Sequence, residues 1–380
     1  MNRVCGLDVH KDSVFACILD KKGEKILEER YNTLTPSLIE LRDTLVRYKC
    51  SRVAMESTSI YWIPIWHVLE GTFELTLANP YFIKQLPGRK SDAKDAQWIA
   101  ECLQKNLIKP SFVAGDLLWQ MRQYTRQHRR LTKSRVRLEQ QLDNQLQRCN
   151  IRFSNYVSNQ GKNVSMRKII KAIIGGERDP VRLSRLVHGR TRNKHGEQVI
   201  TDSLSGVIQE ADVNMLIQCM EQINLLESQQ ATCLKHLEEL ADMYFAEEIS
   251  LLCTIPSVKK FSAMCILAEI GNDMSAFQKA THLIGWEGLR PRNDETAQKI
   301  RSRKILHGNK YLRQILVEIS WSAVRSPKSF LCKKYFLLAK RMKEQKAIIA
   351  ITRKILVIIY NVLKEKQPFD PNRNLQAIIA

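Results

Sequence analysis

No C-x-x-C pair occurs among the ten cysteines, which are scattered singly from Cys5 to Cys332. Their spacing supports neither a disulfide framework nor a thiolate zinc site, and it predicts a reducing cytoplasm. The eight histidines show no H-x-x-x-H or other paired-ligand spacing, so an imidazole metal centre is not indicated either. The longest apolar run, 347–363, is interrupted by Arg353 and Lys354 and predicts a buried or amphipathic helix rather than a membrane span. Met1-Asn2-Arg3 leads straight into a strand pattern, with no signal peptide to be read there. Long repeats and low-complexity tracts are absent. Acid is the scarce charge: 39 Asp+Glu stand against 60 Lys+Arg, a net +21 with a pI near 9.6. Such an imbalance favours a polyanionic partner, and without a membrane segment that partner is nucleic acid.

What is present divides into three regions of a 380-residue chain, expected as domains 1–112, 113–245 and 246–368. The first opens with strands around Asp8, from Val14 to Leu19 and from Lys25, the last two joined at Lys21-Lys22-Gly23. A helix pattern follows over 36–48, a strand 52–55 ending in Glu56, a helix 63–70, a strand 73–78, and a helix through Ala96, Ile99 and Leu103. Three antiparallel strands followed by alternating helices and strands match a ribonuclease H-like, RuvC-like mixed α/β sheet with helices on its faces.

From Leu117 to Cys149 the composition turns to Arg, Gln and Lys, with Leu131, Leu138, Leu142 and Leu146 as a narrow apolar seam. That spacing predicts a long coiled-coil helix, with a second from Val213 to Tyr244 folding back on it as a stalk. Arg122, Arg126, Arg129, Arg130 and Lys133 line its first half. Most charge runs are simply solvated faces, but one this uniformly positive predicts nucleic-acid contact. A second basic cluster, Arg190, Arg192 and Lys194, lies between the two long helices. The last region is expected to be mainly helical. Residues 251–270 read as a helix-hairpin-helix with Ser257 and Lys259 where glycines are common, a device whose turn amides hold a phosphate. A basic arm follows with Lys299, Arg301, Arg303, Lys304, Lys310 and Arg313. Lys90 and Lys259 complete the expected nucleic-acid contacts.

Four carboxylates carry the chemistry. Asp8 sits among Val4, Leu7 and Val9, where an ionised side chain costs several kcal/mol (roughly) unless paired or bound to a cation. Glu56 ends the fourth strand, which in this sheet order lies beside the first. Asp92 and Asp95 share one face of a helix start by their i, i+3 spacing. Singly, each has an ordinary explanation as a cap or an ion-pair partner. Together they predict a site for Mg²⁺ or Mn²⁺ that activates an attacking oxygen and stabilises a leaving one.

The segments GLDVHKDSV, VAMESTSIYW, NPYFIKQLPGRKSDAKDAQWIA, IPSVKKFSAMCILAEIG and GWEGLRPRNDETAQKIRSRKILHGNKYLRQ resemble the DEDD transposases of bacterial insertion sequences. That group includes Piv-like DNA invertases and bridge-RNA-guided recombinases. The resemblance implies metal ligation by Asp8, Glu56, Asp92 and Asp95, and a nucleophilic serine after the G-L-x-P motif. Counting from Gly288-Leu289 and back from Gly308-Asn309, that position is Thr296; Ser302 is the next hydroxyl but is misplaced from both anchors. Threonine's extra methyl restricts χ1 and crowds in-line attack, which implies a slower nucleophile or a decayed copy. The resemblance further implies DNA substrates (element ends and target), a bridge-type guide RNA and a homodimer or homotetramer working at the bacterial nucleoid. Two other readings remain open: a Holliday-junction-type endonuclease that uses water, and a catalytically decayed DNA- or RNA-binding relic.

Overall fold

The computed structural model describes residues 3–80, 92–157, 163–290, 294–296, 299–302, 305, 308–327 and 329–371, with backbone alone for 92–94, 294–296 and 299–302. The chain forms two compact units, 1–113 and 114–380.

The N-terminal unit holds a five-stranded sheet in the order β3-β2-β1-β4-β5. Its strands are β1 (Arg3–Val9), β2 (Ser13–Leu19), β3 (Lys25–Asn32), β4 (Cys50–Glu56) and β5 (Glu74–Ala78). β1, β2 and β3 pair antiparallel, whereas β1–β4 and β4–β5 are parallel. The chemistry of the connections explains the mixture. The β2–β3 link is a tight turn, with Gly23 at φ +86° and the Asp20 carboxylate accepting from the Lys22 and Glu24 amides at 2.8 Å each. Parallel neighbours instead need a crossover, supplied by α1 (Thr35–Arg47) and α2 (Trp62–Leu69). The expected mixed α/β sheet is therefore present.

Alternation along β1 sends Val4, Gly6 and Asp8 to one face. That face packs on α3 (Asp92–Gln104) through Val4, Cys17, Leu19, Ala54, Ala78, Ala96, Ile99, Ala100 and Leu103. The closest approach is at Gly6, where a Cβ would fall 2.2 Å from the Ala96 carbonyl oxygen and 2.4 Å from the Ala100 nitrogen. Only glycine lets the helix backbone lie directly on the strand.

The second unit is dominated by helices α4 (Asp116–Arg148) and α9 (Glu210–Tyr244). They run antiparallel, as Gln145 bonds Asp212 (2.6 Å) and Gln230 bonds Thr132 (2.7 Å), while the Tyr124 and His236 rings lie 5.6 Å apart. Leu131, Leu142 and Leu146 are buried as the spacing anticipated. Between the two lie short helices α5 (Val164–Ile174), α6 (Pro180–Arg185), α7 (Gly189–His195) and α8 (Glu197–Asp202). They pack against the ends of the two long helices in one core that joins Ile169, Ile173, Leu183 and Ile200 to Leu142, Leu146, Leu216 and Ile223.

The remaining chain forms α10 (Ala246–Cys253), α11 (Lys260–Ile270), α12 (Ala280–Glu287), α13 (Lys310–Val324), α14 (Phe330–Ala339) and α15 (Glu344–Glu365). α15, which contains the longest apolar run, is buried through Ile351, Ile355, Ile358, Ile359 and Leu363. Among the described residues no helix is long and apolar enough to cross a membrane. The α10–α11 turn carries Ser257 at φ +69°, a left-handed conformation in which glycine is usual.

Replacing Gly6 by alanine should force α3 off β1 and lower the stability of the N-terminal unit by about 1–3 kcal/mol. Gly189→Ala, where an added Cβ meets nothing within 4 Å, should be neutral. Thermal melts of the two variants check this, and equal midpoints would remove the close-approach argument.

Candidate active site

Asp8 is the last-but-one residue of β1 and is only 4% exposed. The β1–β4 register runs Gly6↔Ala54 and Leu7↔Met55, so Asp8 and Glu56 are the next pair. Continuing that register sets them side by side on one face of the sheet, on strands spaced about 4.8 Å apart. His10 Nε2 lies 3.0 Å from Asp8 Oδ2, its ring edge-on to Phe15 at 6.0 Å. Thr58 Oγ1 donates to Glu56 Oε2 at 3.4 Å.

The direction of α3 follows from its two ends. Gln104 Nε2, at its C-terminus, donates to the Asp20 carbonyl (2.7 Å) just past β2, beside the start of β1. Ala96 lies over Gly6, so α3 runs antiparallel to β1 and begins at the end of the sheet that carries Asp8 and Glu56. From Ala96 back to Asp92 is about 6 Å of helix rise; from Gly6 forward to Asp8 is about 6.6 Å of strand. The first turn of α3, with Asp92 at its first position and Asp95 half-buried, therefore arrives level with the paired strand ends. Hard carboxylate oxygens offered from one end of a sheet suit Mg²⁺ or Mn²⁺ better than softer ions.

Thr296 lies in a two-stranded ribbon, β6 (Asp294–Thr296) against β7 (Lys299–Ser302). The register is Asp294↔Ser302, Glu295↔Ile300 and Thr296↔Lys299, which puts Thr296 at the closing end of a hairpin. Where the sequence predicted a basic arm, cross-strand pairing invisible to local pattern makes Lys299–Ser302 one strand of a ribbon. Lys299 and Arg301 share β7.

The expected basic contacts separate into two groups. Arg130, Lys133, Lys259 and Lys310 are exposed. Arg122, read as a nucleic-acid contact, is instead buried, and this corrects the expectation. Its Nε donates to the Ala268 carbonyl (2.9 Å) and its Nη2 to the Glu269 carbonyl (3.0 Å). These are carbonyls that the end of α11 leaves without helical partners. Burial pulls the Arg122 guanidinium down to about 10, against the opposing pull of Glu269. Arg126 forks the Glu269 carboxylate at 3.0 and 2.8 Å and lies over the Tyr311 ring at 4.4 Å. Arg129 lies over the same ring at 5.6 Å. Arg313 donates Nη2 to the Glu287 carbonyl at 2.8 Å. Lys90, Arg303 and Lys304 lie outside the described residues. His10, Glu269, Glu287 and Asn309 escaped the sequence reading. The signal for the two glutamates was a lone acid inside an apolar helix pattern, the same signal that singled out Asp8.

Two sequence comparisons speak to this architecture. Residues 5–151 match a DEDD transposase model of the IS110 type, and residues 249–335 match the model of the transposase IS116/IS110/IS902 family. These matches are to transposases of the DEDD class. The chain belongs to the IS110-type transposase family. It is similar to the pilin gene-inverting proteins of Moraxella bovis and Moraxella lacunata, each 35% identical over 127 residues. The alignment takes in 32% of this chain and 38% of either relative. Two solved structures of RuvC from Thermus thermophilus, one with a Holliday junction substrate, align with 29% of this chain at 13% identity and a TM-score of 0.23. The alignment covers 100% and 99% of those chains.

Arg122→Ala leaves two buried carbonyls without their side-chain donor and removes one of the two cations beside the Glu269 carboxylate, and should cost about 3 kcal/mol of the second unit's stability. Arg130→Ala and Lys133→Ala should change it by less than about 0.5 kcal/mol. Denaturant titrations distinguish the two kinds of arginine. Glu287, fully buried, has its carboxyl pushed up to about 7 by desolvation, with Arg313 opposing. The folded state thus holds this proton more tightly than the unfolded one. The associated stability is complete below the ordinary glutamate range and is lost as pH rises to about 7. Glu287→Gln should flatten that fall in the melting midpoint; an unchanged pH profile would contradict it.

Proposed function

We propose that the protein is a metal-dependent DNA recombinase that cleaves and rejoins strands to move an insertion sequence. The observation that supports this reading is the β1–β4 register, which runs on to Asp8 and Glu56 at the sheet end where α3 begins with Asp92 and Asp95. In this reading the four carboxylates hold Mg²⁺ or Mn²⁺. When bound, such ions lower the pKa of an attacking hydroxyl and stabilise the departing oxygen.

The second unit supplies the nucleophile. Thr296 Oγ attacks a strand phosphate and gives up its proton, while the departing sugar oxygen takes one up; the resulting phosphoester conserves the bond for rejoining. His10, bonded to Asp8, orients that carboxylate. Arg130, Lys133, Lys259, Lys299, Arg301 and Lys310, with Lys90, Arg303 and Lys304 from the sequence, neutralise backbone phosphates. The antiparallel α4–α9 pair is read as a coiled-coil stalk, separate from the helical domain 246–368, whose α10–α11 turn approaches a phosphate in helix-hairpin-helix fashion. A structured guide RNA selecting donor and target by base pairing fits a protein that holds duplexes by charge. A homodimer or homotetramer at the bacterial nucleoid would be the working form.

The test is a denaturing gel of protein with element-end DNA, guide RNA and Mg²⁺. A protease-sensitive covalent adduct is expected for wild type, none for Thr296→Ala, and at least about a 10²-fold loss for Asp8→Asn. Thr296→Ser, without the crowding methyl, should form the adduct faster. Cleavage that persists in Thr296→Ala with no adduct in wild type would favour the water-using endonuclease.

A further inference from the structure

The segment that carries the β6–β7 hairpin leaves and re-enters the helical unit through one narrow neck. It leaves at the end of α12, where Gly288 takes φ +80° to stop the helix. It returns at Gly308, where a Cβ would lie 1.7 Å from the Glu287 carbonyl oxygen and 2.1 Å from its carbon. Outgoing and returning backbones therefore touch more closely than any side chain would permit.

Two buried glutamates hold this neck. Glu287, 0% exposed, receives Arg313 Nε on its Oε1 at 3.3 Å, while Arg313 Nη2 grips its carbonyl at 2.8 Å. On the returning side, Asn309 caps α13, accepting from the Tyr311 and Leu312 amides at 3.0 and 3.1 Å. The same Asn309 donates Nδ2 to Glu269 Oε2 at 2.6 Å, and Glu269 is already clamped by Arg126. Glu287 Oε2 is buried and has no hydrogen-bond partner among the described residues.

A neck needed only for stability would be served better by an uncharged side chain of the same shape, because burying an ion pair seldom returns its desolvation cost. What a carboxylate–guanidinium contact supplies in addition is direction: it fixes Arg313, and with it the Glu287 carbonyl against which Gly308 closes. We infer that Glu287 is a positioning residue for strand exchange, fixing the neck from which the Thr296 hairpin is presented to DNA. The inference rests on the reading of Thr296 as nucleophile. It concerns the reaction's geometry rather than substrate binding, since a misplacement of about 1 Å at a reacting atom costs about 10²-fold in rate.

The experiment compares wild type, Glu287→Ala and Glu287→Gln by three measurements: adduct formation at saturating DNA, DNA affinity, and amide hydrogen exchange over Asp294–Ser302. Glu287→Ala should lower the maximal rate about 100-fold, leave affinity within about threefold, and speed exchange in the hairpin. Glu287→Gln keeps the shape but not the charge. It should melt no lower than wild type above about pH 7 yet react about tenfold more slowly, a split that a purely structural role cannot produce. Should Glu287→Ala fail to fold, Glu287→Gln decides alone. Wild-type rate in Glu287→Gln, or unchanged hairpin exchange in whichever variants fold, overturns the inference. Faster hairpin exchange in a protein whose wild type forms no adduct would instead sink the Thr296 reading and leave the neck intact.

Discussion

The contact of α3 with β1 at Gly6 governs how the start of the helix stands against Asp8 on the strand. With no side chain between them, helix and strand are locked in position along their common direction. One residue step in either element would move a carboxylate by about 1.5 Å in the helix or 3.3 Å in the strand. Asp8 lies two residues beyond Gly6 on the strand and Asp92 four residues before Ala96 on the helix. A glycine that binds nothing therefore sets the spacing between acids that are remote along the chain.

The same economy recurs in the helical unit. Positive charge there does two jobs that composition cannot separate. Arg122, Arg126 and Arg313 turn inward to satisfy carbonyls and the buried carboxylates of Glu269 and Glu287. Arg130 and Lys133 remain in solvent. Inward arginines are the natural choice, because a planar guanidinium can satisfy a carboxylate and a carbonyl at once and is less strongly hydrated than an ammonium. The net +21 thus overstates the charge available to a polyanion.

The sheet of the N-terminal unit is buried through Asp8, Val9 and Val14 up to the edge that carries the candidate carboxylates, which suits the proposed site, whose ligands must stay put. The helical unit presents Thr296 on a small ribbon from a neck clamped by two ion pairs. A ribbon of two short strands has little stability of its own, so its orientation is inherited from the helices at its base.

Strand order, the alternation that buries β1 on both faces, the two long helices and the candidacy of Asp8, Glu56, Asp92, Asp95 and Thr296 were all legible in the amino-acid sequence. All but Thr296 rest on local periodicity, on residue spacing or on a lone polar residue in an apolar setting, whereas Thr296 was implied only by the family resemblance. Local pattern could not disclose which arginines turn inward, the ribbon at 294–302, the Glu287–Gly308 neck or the meaning of Gly6. Those depend on residues distant along the chain approaching within a few ångströms, and only the tertiary structure decides which distant residues do so.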